Sequence, residues 1–340
     1  MSREQKAWKR TFWLSALLSV LLVASLAPYL TSSTELVRLR NSLLYQPITA
    51  DAQWTPAQPP DDYLVERSAP TSMFERIATR EKFLVPENDW ETALRIGRHL
   101  VHKADATGRS GPIQQDLEQT YRRITEAGDG YCGDYVDVFT GLATTVGIFT
   151  RSWAFSFDGF GGHGHIFNEI WDRQAGAWRM IDVFNNYYVV DAEERPLSAL
   201  EFREQLLRGE EIRWRAVDGS ARPGFVFPEK ALDYYSRGAP EWYLWWGNNV
   251  FDYDGNEIVG LASGAGRSVA QLAAIAAGVH PTIRVIHMQE NEARRVELVR
   301  LRYHLIAASA LLALLFAVML FSLLRMRSAR RAGRAVEYAR

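Results

Sequence analysis

This sequence lacks disulfide crosslinks and has almost no net charge. Its 340 residues contain one cysteine, Cys132, so the chain cannot form an intramolecular disulfide and folds without covalent staples. A net charge of −1 argues against a polyanionic partner such as nucleic acid. Repeats and low-complexity tracts are absent too, and 47% of the residues are hydrophobic, which is too apolar for disorder. The sequence therefore indicates a folded protein that retains a single thiol.

Charge is missing altogether from two long segments. Residues 11–30 and 305–324 contain no charged side chain, and each is long enough as a helix to cross a hydrocarbon core of roughly 30 Å. A soluble helix of that length normally carries a polar stripe, which both segments lack. We therefore predict two transmembrane helices in contact with lipid. The alternatives are very apolar core helices or, for the first segment alone, a signal peptide cleaved near Ala27, which Pro28 disfavours.

Basic residues flank these two segments unevenly. The outer flanks carry Arg3, Lys6, Lys9, Arg10, Arg325, Arg327, Arg330, Arg331, Arg334 and Arg340, and the inner flanks carry Arg38, Arg40, Arg294, Arg295, Arg300 and Arg302. The positive-inside rule then predicts a two-pass protein of the cell (inner) membrane with both termini in the cytoplasm. Residues 1–10 and the basic tail 325–340 would be cytoplasmic, and the roughly 270 residues between the spans would lie outside.

The region between the spans divides by composition. Residues 31–72 are predicted to be a juxtamembrane segment that continues, from residue 47, as a proline-rich linker, and residues 73–300 form the predicted extracytoplasmic domain. Capping residues predict a helix that begins at Asn88, with Glu91 as its capping-box partner. Apolar periodicity predicts further helices over 113–127, 136–146, 197–207 (exposed), 264–279 and 289–302, and the last of them runs into the second span. Short β-branched and aromatic runs predict three antiparallel strands at 151–157, 166–172 and 178–184. A helix followed by a strand meander indicates an α+β fold.

Cys132 lies where a reactive thiol is expected. It follows a glycine-rich turn, Gly128-Asp129-Gly130-Tyr131, and belongs with Asp134 to the first turn of a predicted buried helix. A helix N-terminus offers free backbone N–H groups and partial positive charge, which favour the thiolate, and the Cys132 N–H is a natural oxyanion donor. The alternative is a buried structural cysteine, which most free cysteines are.

A histidine and an aspartate follow at short spacing. His165 opens a predicted strand after the loop Gly161-Gly162-His163-Gly164, and a histidine there could accept the thiol proton and return it to a leaving amine. Asp182 ends the neighbouring strand and could fix the imidazole tautomer. Taken singly, each could be structural; together they predict a Cys132–His165–Asp182 triad that needs no cofactor or metal.

At these residues the chain resembles the transglutaminase-like family, whose core has papain-like architecture. The resemblance covers about residues 85–192 and rests on four segments: 130–132 with the helix that follows, 147–151, 165–171 and 178–182. It implies a helix bearing Cys132 at its N-terminus, packed on an antiparallel sheet between the two transmembrane helices. It also implies that Cys132 is the nucleophile, His165 the base and Asp182 the orienting group. The predicted substrate-binding or supporting residues are Gly130, Tyr131, His163, Glu169 and Trp171, with Glu169 and Arg151 in structural roles.

Three other groups of residues allow different interpretations. His163, His165 and Asp182 could hold zinc, although this leaves Cys132 unexplained. Residues 252–257 superficially suggest a calcium loop, but an Asp-Gly hairpin turn fits better. The aromatic side chains could form a core, a bilayer belt or a platform for sugar or peptide; they are Tyr234, Tyr235, Trp242, Tyr243, Trp245, Trp246 and Phe251.

The predicted function is thiol-dependent acyl transfer on amide bonds at the outer face of the membrane. Water as the acceptor would make the protein a peptidase or amidase, and an amine would make it a transglutaminase-type enzyme. The expected substrate is a cell-envelope protein, peptide or glycopeptide. The alternative is a catalytically inactive domain that serves as a membrane-anchored binding or assembly factor in envelope or polysaccharide biogenesis.

Overall fold

The computed structural model describes residues 3–30, 32–47, 52–101, 113, 115–221, 224, 225 and 227–338. The chain divides into two compact units, one formed by Met1–Leu43 with Arg295–Arg340 and the other by Leu44–Arg294. The helices are α1 (Arg3–Ser25), α2 (Ala27–Leu30), α3 (Ser33–Leu44), α4 (Ser72–Glu81), α5 (Asp89–Val101), α6 (Leu117–Arg122), α7 (Cys132–Thr145), α8 (Ala199–Arg208), α9 (Pro228–Gly238), α10 (Val250–Asp254), α11 (Glu257–Ser263), α12 (Arg267–Ala276) and α13 (Glu292–Tyr338). The strands are β1 (Tyr45–Pro47), β2 (Thr150–Ser156), β3 (Gly164–Asp172), β4 (Ala177–Ile181), β5 (Tyr187–Val190), β6 (Arg213–Ala216), β7 (Trp242–Trp246) and β8 (Thr282–Val285).

The terminal unit is helical. Arg3–Ser25 and Glu292–Arg331 are long and apolar enough to cross a membrane, as the uncharged segments predict. The two helices contact each other. The rings of Trp8 and Phe321 meet edge to face with centroids 5.4 Å apart, and Ser25 Oγ lies 3.4 Å from His304 Nε2. The predicted charged helix over 289–302 does run without a break into this second apolar stretch, as part of α13.

The central unit is built around a six-stranded sheet in the order β1-β8-β7-β2-β3-β4. The β1–β8 pair is parallel, and the other neighbours are antiparallel. The α+β prediction and the prediction of three adjacent antiparallel strands, now β2, β3 and β4, are confirmed, although the third strand ends at Ile181 and not at residue 184. The remaining strands, β5 and β6, form a small separate ladder beside β4.

Apolar side chains pack on both faces of the sheet. One face, with Ile170 and Ile181, joins a core under α4, α5, α6 and α7. The opposite face, with Trp153 and Phe167, packs an aromatic core under α8 and α9. A buried amide ties α7 to the sheet, because Asn168 of β3 donates to Thr140 Oγ1 at 3.0 Å. The helix that begins at Cys132 therefore has a fixed position against the strand that begins at Gly164.

The structure corrects several local predictions. The proline-rich segment is not a loose linker from residue 52 onward, because Ala52 and Tyr63 are buried and Leu64 N–H donates to Trp246 O at 3.2 Å; residues 48–51 lie outside the described residues. The helix predicted over 113–127 begins only at Leu117, and its last turn, Arg123–Ala127, is a π-helix.

Three further predictions concern a helix cap, the exposure of a helix and a turn. Asn88 does cap α5, accepting from Glu91 N–H at 2.9 Å, but the Glu91 carboxylate pairs with Arg98 rather than returning to the cap. Helix α8 is not simply exposed, since Phe202 is fully buried. Residues 252–257 form a corner between α10 and α11 rather than a hairpin, because no strands flank them.

Candidate active site

Cys132 is the first residue of α7 and is partly exposed. The turn before it needs a glycine at position 130, where φ is +109°, a conformation that L side chains rarely adopt. Tyr131 N–H then donates to Asp134 Oδ2 at 2.8 Å, which closes the first turn of the helix. Tyr131 itself is 48% exposed. The thiol is thus held at a helix N-terminus with one side open to solvent.

His165 and Asp182 are brought together by the register of the sheet. His165 lies opposite Phe155 near the start of β3, and Asp182 follows directly after β4. The His165 Nε2 lies 2.5 Å from Asp182 Oδ2, and both side chains are almost completely buried. This contact occupies Nε2 and leaves Nδ1 as the nitrogen that can serve the thiol. Cys132 lies near enough to the imidazole to contribute to the raised pKa of His165.

The electrostatic environment favours the imidazolium form of His165. Burial by itself lowers the pKa of His165, but the charge of Asp182 and its hydrogen bond, with smaller contributions from Cys132, outweigh burial and raise the pKa from 6.5 to about 10. A histidine held protonated between a carboxylate and a thiol can stabilise the thiolate and donate a proton to a leaving group.

This pKa predicts how stability depends on pH. Because the pKa of folded His165 lies above the ordinary value, the protonated ring stabilises the fold below about pH 6.5, and that contribution disappears as the pH rises through about 10. We expect the melting temperature of the full chain to exceed that of His165→Gln most at about pH 6, with the gap narrowing towards pH 10. A gap that stays constant or widens over this range would show that His165 is not held protonated.

Two tyrosines from α9 complete the surroundings of the histidine. Tyr235 is fully buried, and its hydroxyl donates to Asp182 Oδ2. The Tyr234 ring lies edge-on to His165, with centroids 5.7 Å apart, and its hydroxyl donates to Gly164 O at 3.4 Å. Burial raises the pKa of Tyr234, with the charges of Cys132 and Asp182 adding to the effect. Sequence reasoning counted both tyrosines only among the aromatic cluster.

Asn185, three residues after Asp182, was also missed. Its backbone N–H donates to Asp182 Oδ1 at 3.0 Å, and its side-chain Nδ2 donates to Asp182 Oδ2 at 3.2 Å. The only sequence signal for it was an asparagine in the turn after the aspartate, which is common in turns generally.

Most of the aromatic cluster is core, since β7 is an inner strand of the sheet and Trp242 and Trp246 are buried.

Glu169 lies in a polar cluster of its own, apart from His165 and Asp182. Its carboxylate accepts from Arg151 Nε at 2.5 Å, Trp153 Nε1 at 2.7 Å and Ala199 N–H at 2.7 Å. The Ala199 contact is made at the N-terminus of α8, so Glu169 joins that helix to the sheet. Trp171, the other predicted supporting residue on this strand, packs edge-on against Trp178, with centroids 5.4 Å apart.

The three residues of the zinc interpretation do not come together. The side chain of His163 is 74% exposed, and its Nδ1 lies 3.7 Å from Asp158 instead of beside His165. Throughout the described part of the chain, no group of three or more His, Cys, Asp or Glu side chains has an arrangement that could hold a metal ion.

Comparison with known proteins finds no matching family model, no matching curated protein and no matching solved structure.

Proposed function

We propose that this chain is a thiol-dependent acyl-transfer enzyme acting on amide bonds, with Cys132, His165 and Asp182 as its catalytic triad. The observation that carries the proposal is the position of His165, buried and hydrogen-bonded to Asp182 through Nε2 at 2.5 Å, with the Cys132 thiol near enough to contribute to the raised pKa of the imidazole. A triad is recognised by such geometry and by the roles it permits rather than by sequence position.

The chemistry follows from these positions. The Cys132 thiolate attacks the carbonyl carbon of an amide, and the oxyanion that forms can accept a hydrogen bond from the Cys132 backbone N–H. As the C–N bond breaks, His165 gives its proton to the departing amine, leaving an acyl thioester on Cys132. Water or a second amine then attacks the thioester and transfers a proton to His165, and the thiolate leaves.

The proposed architecture is a transglutaminase-like core of papain type. Its support is the order of elements, in which a helix with cysteine at its N-terminus packs against antiparallel strands that carry the histidine and the aspartate. We further propose that the enzyme acts at the outer face of the cell membrane on a peptide or glycopeptide of the envelope. The support for this is the pair of apolar helices and their basic flanks.

The proposal can be tested before the natural substrate is known. A p-nitrophenyl ester of a short acyl-peptide carries a leaving group that needs little assistance, so it should acylate an activated thiol readily. We expect the full chain in detergent to release p-nitrophenol in a burst followed by steady turnover, and intact-mass analysis to find one acyl group on Cys132. Cys132→Ala removes the only thiol and should abolish both the burst and the acyl adduct.

The outcomes distinguish enzyme from binding factor. If the wild type releases no more p-nitrophenol than Cys132→Ala, the enzymatic proposal is wrong and a membrane-anchored binding or assembly role takes its place. If turnover occurs, adding glycinamide as an acceptor separates the two reactions, since a transferase forms the acyl-glycinamide and a hydrolase the free acid.

A further inference from the structure

The triad aspartate has hydrogen-bond partners beyond the histidine. Asp182 Oδ2 accepts from His165 Nε2, from the Tyr235 hydroxyl and from Asn185 Nδ2, and Oδ1 accepts from the Asn185 backbone N–H. Asn185 Nδ2 also donates to the Tyr235 hydroxyl at 3.0 Å, which closes a ring of contacts around one carboxylate oxygen. A carboxylate with this many directed donors has little freedom to rotate.

Burial makes these contacts necessary. Asp182 is 0% exposed, so its charge has lost its hydration and must be stabilised by groups of the protein. Among the residues that the structure describes, the hydrogen bonds to its carboxylate come from His165, Asn185 and Tyr235. Burial and the neighbouring charge of Asp182 raise the pKa of Tyr235 well above its usual value, which keeps the phenol protonated as a donor.

Tyr235 reaches the site from a distant part of the sequence. It lies on α9, 53 positions after Asp182 and beyond the predicted core of residues 85–192. Its ring is held by Phe155, Phe202 and Trp214, with centroids 5.3 to 5.6 Å away. Packing therefore fixes the ring independently of the hydroxyl, and Tyr235→Phe should remove the hydrogen bonds while keeping the packed shape.

We propose that Tyr235 and Asn185 are positioning residues of the acyl-transfer site, and that α9 completes the catalytic machinery by fixing Asp182. Fixing Asp182 Oδ2 fixes Nε2 of His165, and that in turn directs Nδ1 towards Cys132. The inference rests on the proposed function, because it assigns these residues to a working Cys132–His165 pair.

The test uses the alkylation rate of the chain's only thiol as a function of pH, measured with iodoacetamide on the full chain in detergent. This readout needs no substrate and follows the thiolate. The titratable groups that face the Cys132–His165 pair are Asp182 after β4, and Tyr234 and Tyr235 of α9. The acid limb of this profile is the pH range in which the alkylation rate falls because the thiolate becomes protonated. We expect Tyr235→Phe to move the acid limb to higher pH by about one unit, because a misplaced imidazolium stabilises the thiolate less well.

Tyr63→Phe is the matched control. Its hydroxyl is also buried, but it donates to Thr150 O at 3.4 Å, away from the triad. The control should leave the acid limb unchanged even if the melting temperature falls. Asn185→Ala, which removes a side-chain donor and leaves the backbone N–H, should move the limb in the same direction and provides a second route if Tyr235→Phe folds poorly.

The outcomes separate the inference from the proposed function. If the wild type has a depressed acid limb that neither Tyr235→Phe nor Asn185→Ala moves, these residues are merely structural and only the inference is wrong. If the wild-type thiol itself behaves as an ordinary free cysteine, there is no pair to position, and both the inference and the proposed function are wrong.

Discussion

Asp182→Asn is expected to turn over the p-nitrophenyl ester about 10⁴-fold more slowly than the wild type, the size of loss found when the orienting aspartate of a serine-protease triad becomes asparagine. Aspartate and asparagine side chains have nearly the same shape, so the packing around β4 should survive. An amide, however, carries no charge to stabilise the imidazolium. Its NH₂ group can also face His165 Nε2, which then becomes an acceptor and places the ring proton on Nδ1, so that the neutral ring cannot accept the thiol proton there.

A surface aspartate gives the control for this prediction. Asp191 lies nine residues further on and pairs with the exposed Arg195 at 2.8 Å. Asp191→Asn should keep wild-type turnover. If Asp182→Asn retains turnover within tenfold of the wild type and melts at the same temperature, Asp182 does not orient the histidine, and the triad reduces to a Cys–His pair.

The largest expected effect on stability concerns the buried pair of Arg151 and Glu169. Their side chains are 1% and 0% exposed, with Arg151 Nε 2.5 Å from Glu169 Oε2, and the guanidinium lies 3.8 Å from the centroid of the Trp178 ring. Removing Arg151 leaves the buried Glu169 carboxylate without its counter-ion, although Trp153 and Ala199 still donate to it. We therefore expect Arg151→Met to lower the free energy of unfolding by about 3–5 kcal/mol, measured by urea denaturation of the full chain in detergent.

Two further variants sharpen that result. Arg195→Met breaks an ion pair of similar length in which the arginine side chain is 67% exposed, and it should cost no more than about 1 kcal/mol. The double variant Arg151→Met with Glu169→Gln should cost less than the sum of the two single changes, because neither charge is then left alone. If Arg151→Met costs no more than Arg195→Met, the buried Arg151–Glu169 ion pair does not stabilise the fold.

The helix and strands that carry the triad residues were predictable because local patterns and tertiary packing agree there. The glycine turn before Cys132 and the apolar stretch after it both point to α7, and the runs that became β2, β3 and β4 have lengths and compositions typical of buried strands. Once these strands are adjacent and antiparallel, their register places His165 beside Asp182.

Other features could not be read from sequence because they depend on distant packing. In α9 two adjacent tyrosines look alike, and only the docking of the helix decides that Tyr235 meets Asp182 while Tyr234 lies against His165. The segment around Trp54 and Tyr63 has the prolines of a linker, yet these two rings pack together, with centroids 4.7 Å apart, near the Arg151–Glu169 pair. Strands of three or four residues, such as β1 and β8, are too short to show a period.

The central claim is that Cys132 and His165 form an ion pair, and its most direct test is the pH dependence of thiol alkylation in the wild type and in His165→Ala. The slope is more informative than the absolute rate, because a thiolate of low basicity is also a weaker nucleophile. A free thiol has a pKa of about 8.5. Below that pH its alkylation rate rises about tenfold for each unit by which the pH increases, because the thiolate fraction rises.

We predict a wild-type alkylation rate that is nearly constant from about pH 6 to pH 8, and a rate in His165→Ala that climbs about tenfold per unit over the same range. Since the chain has no other cysteine, the signal comes from Cys132 alone. Two profiles that both climb with the slope of a free thiol would mean that His165 does not activate Cys132, and would contradict the triad.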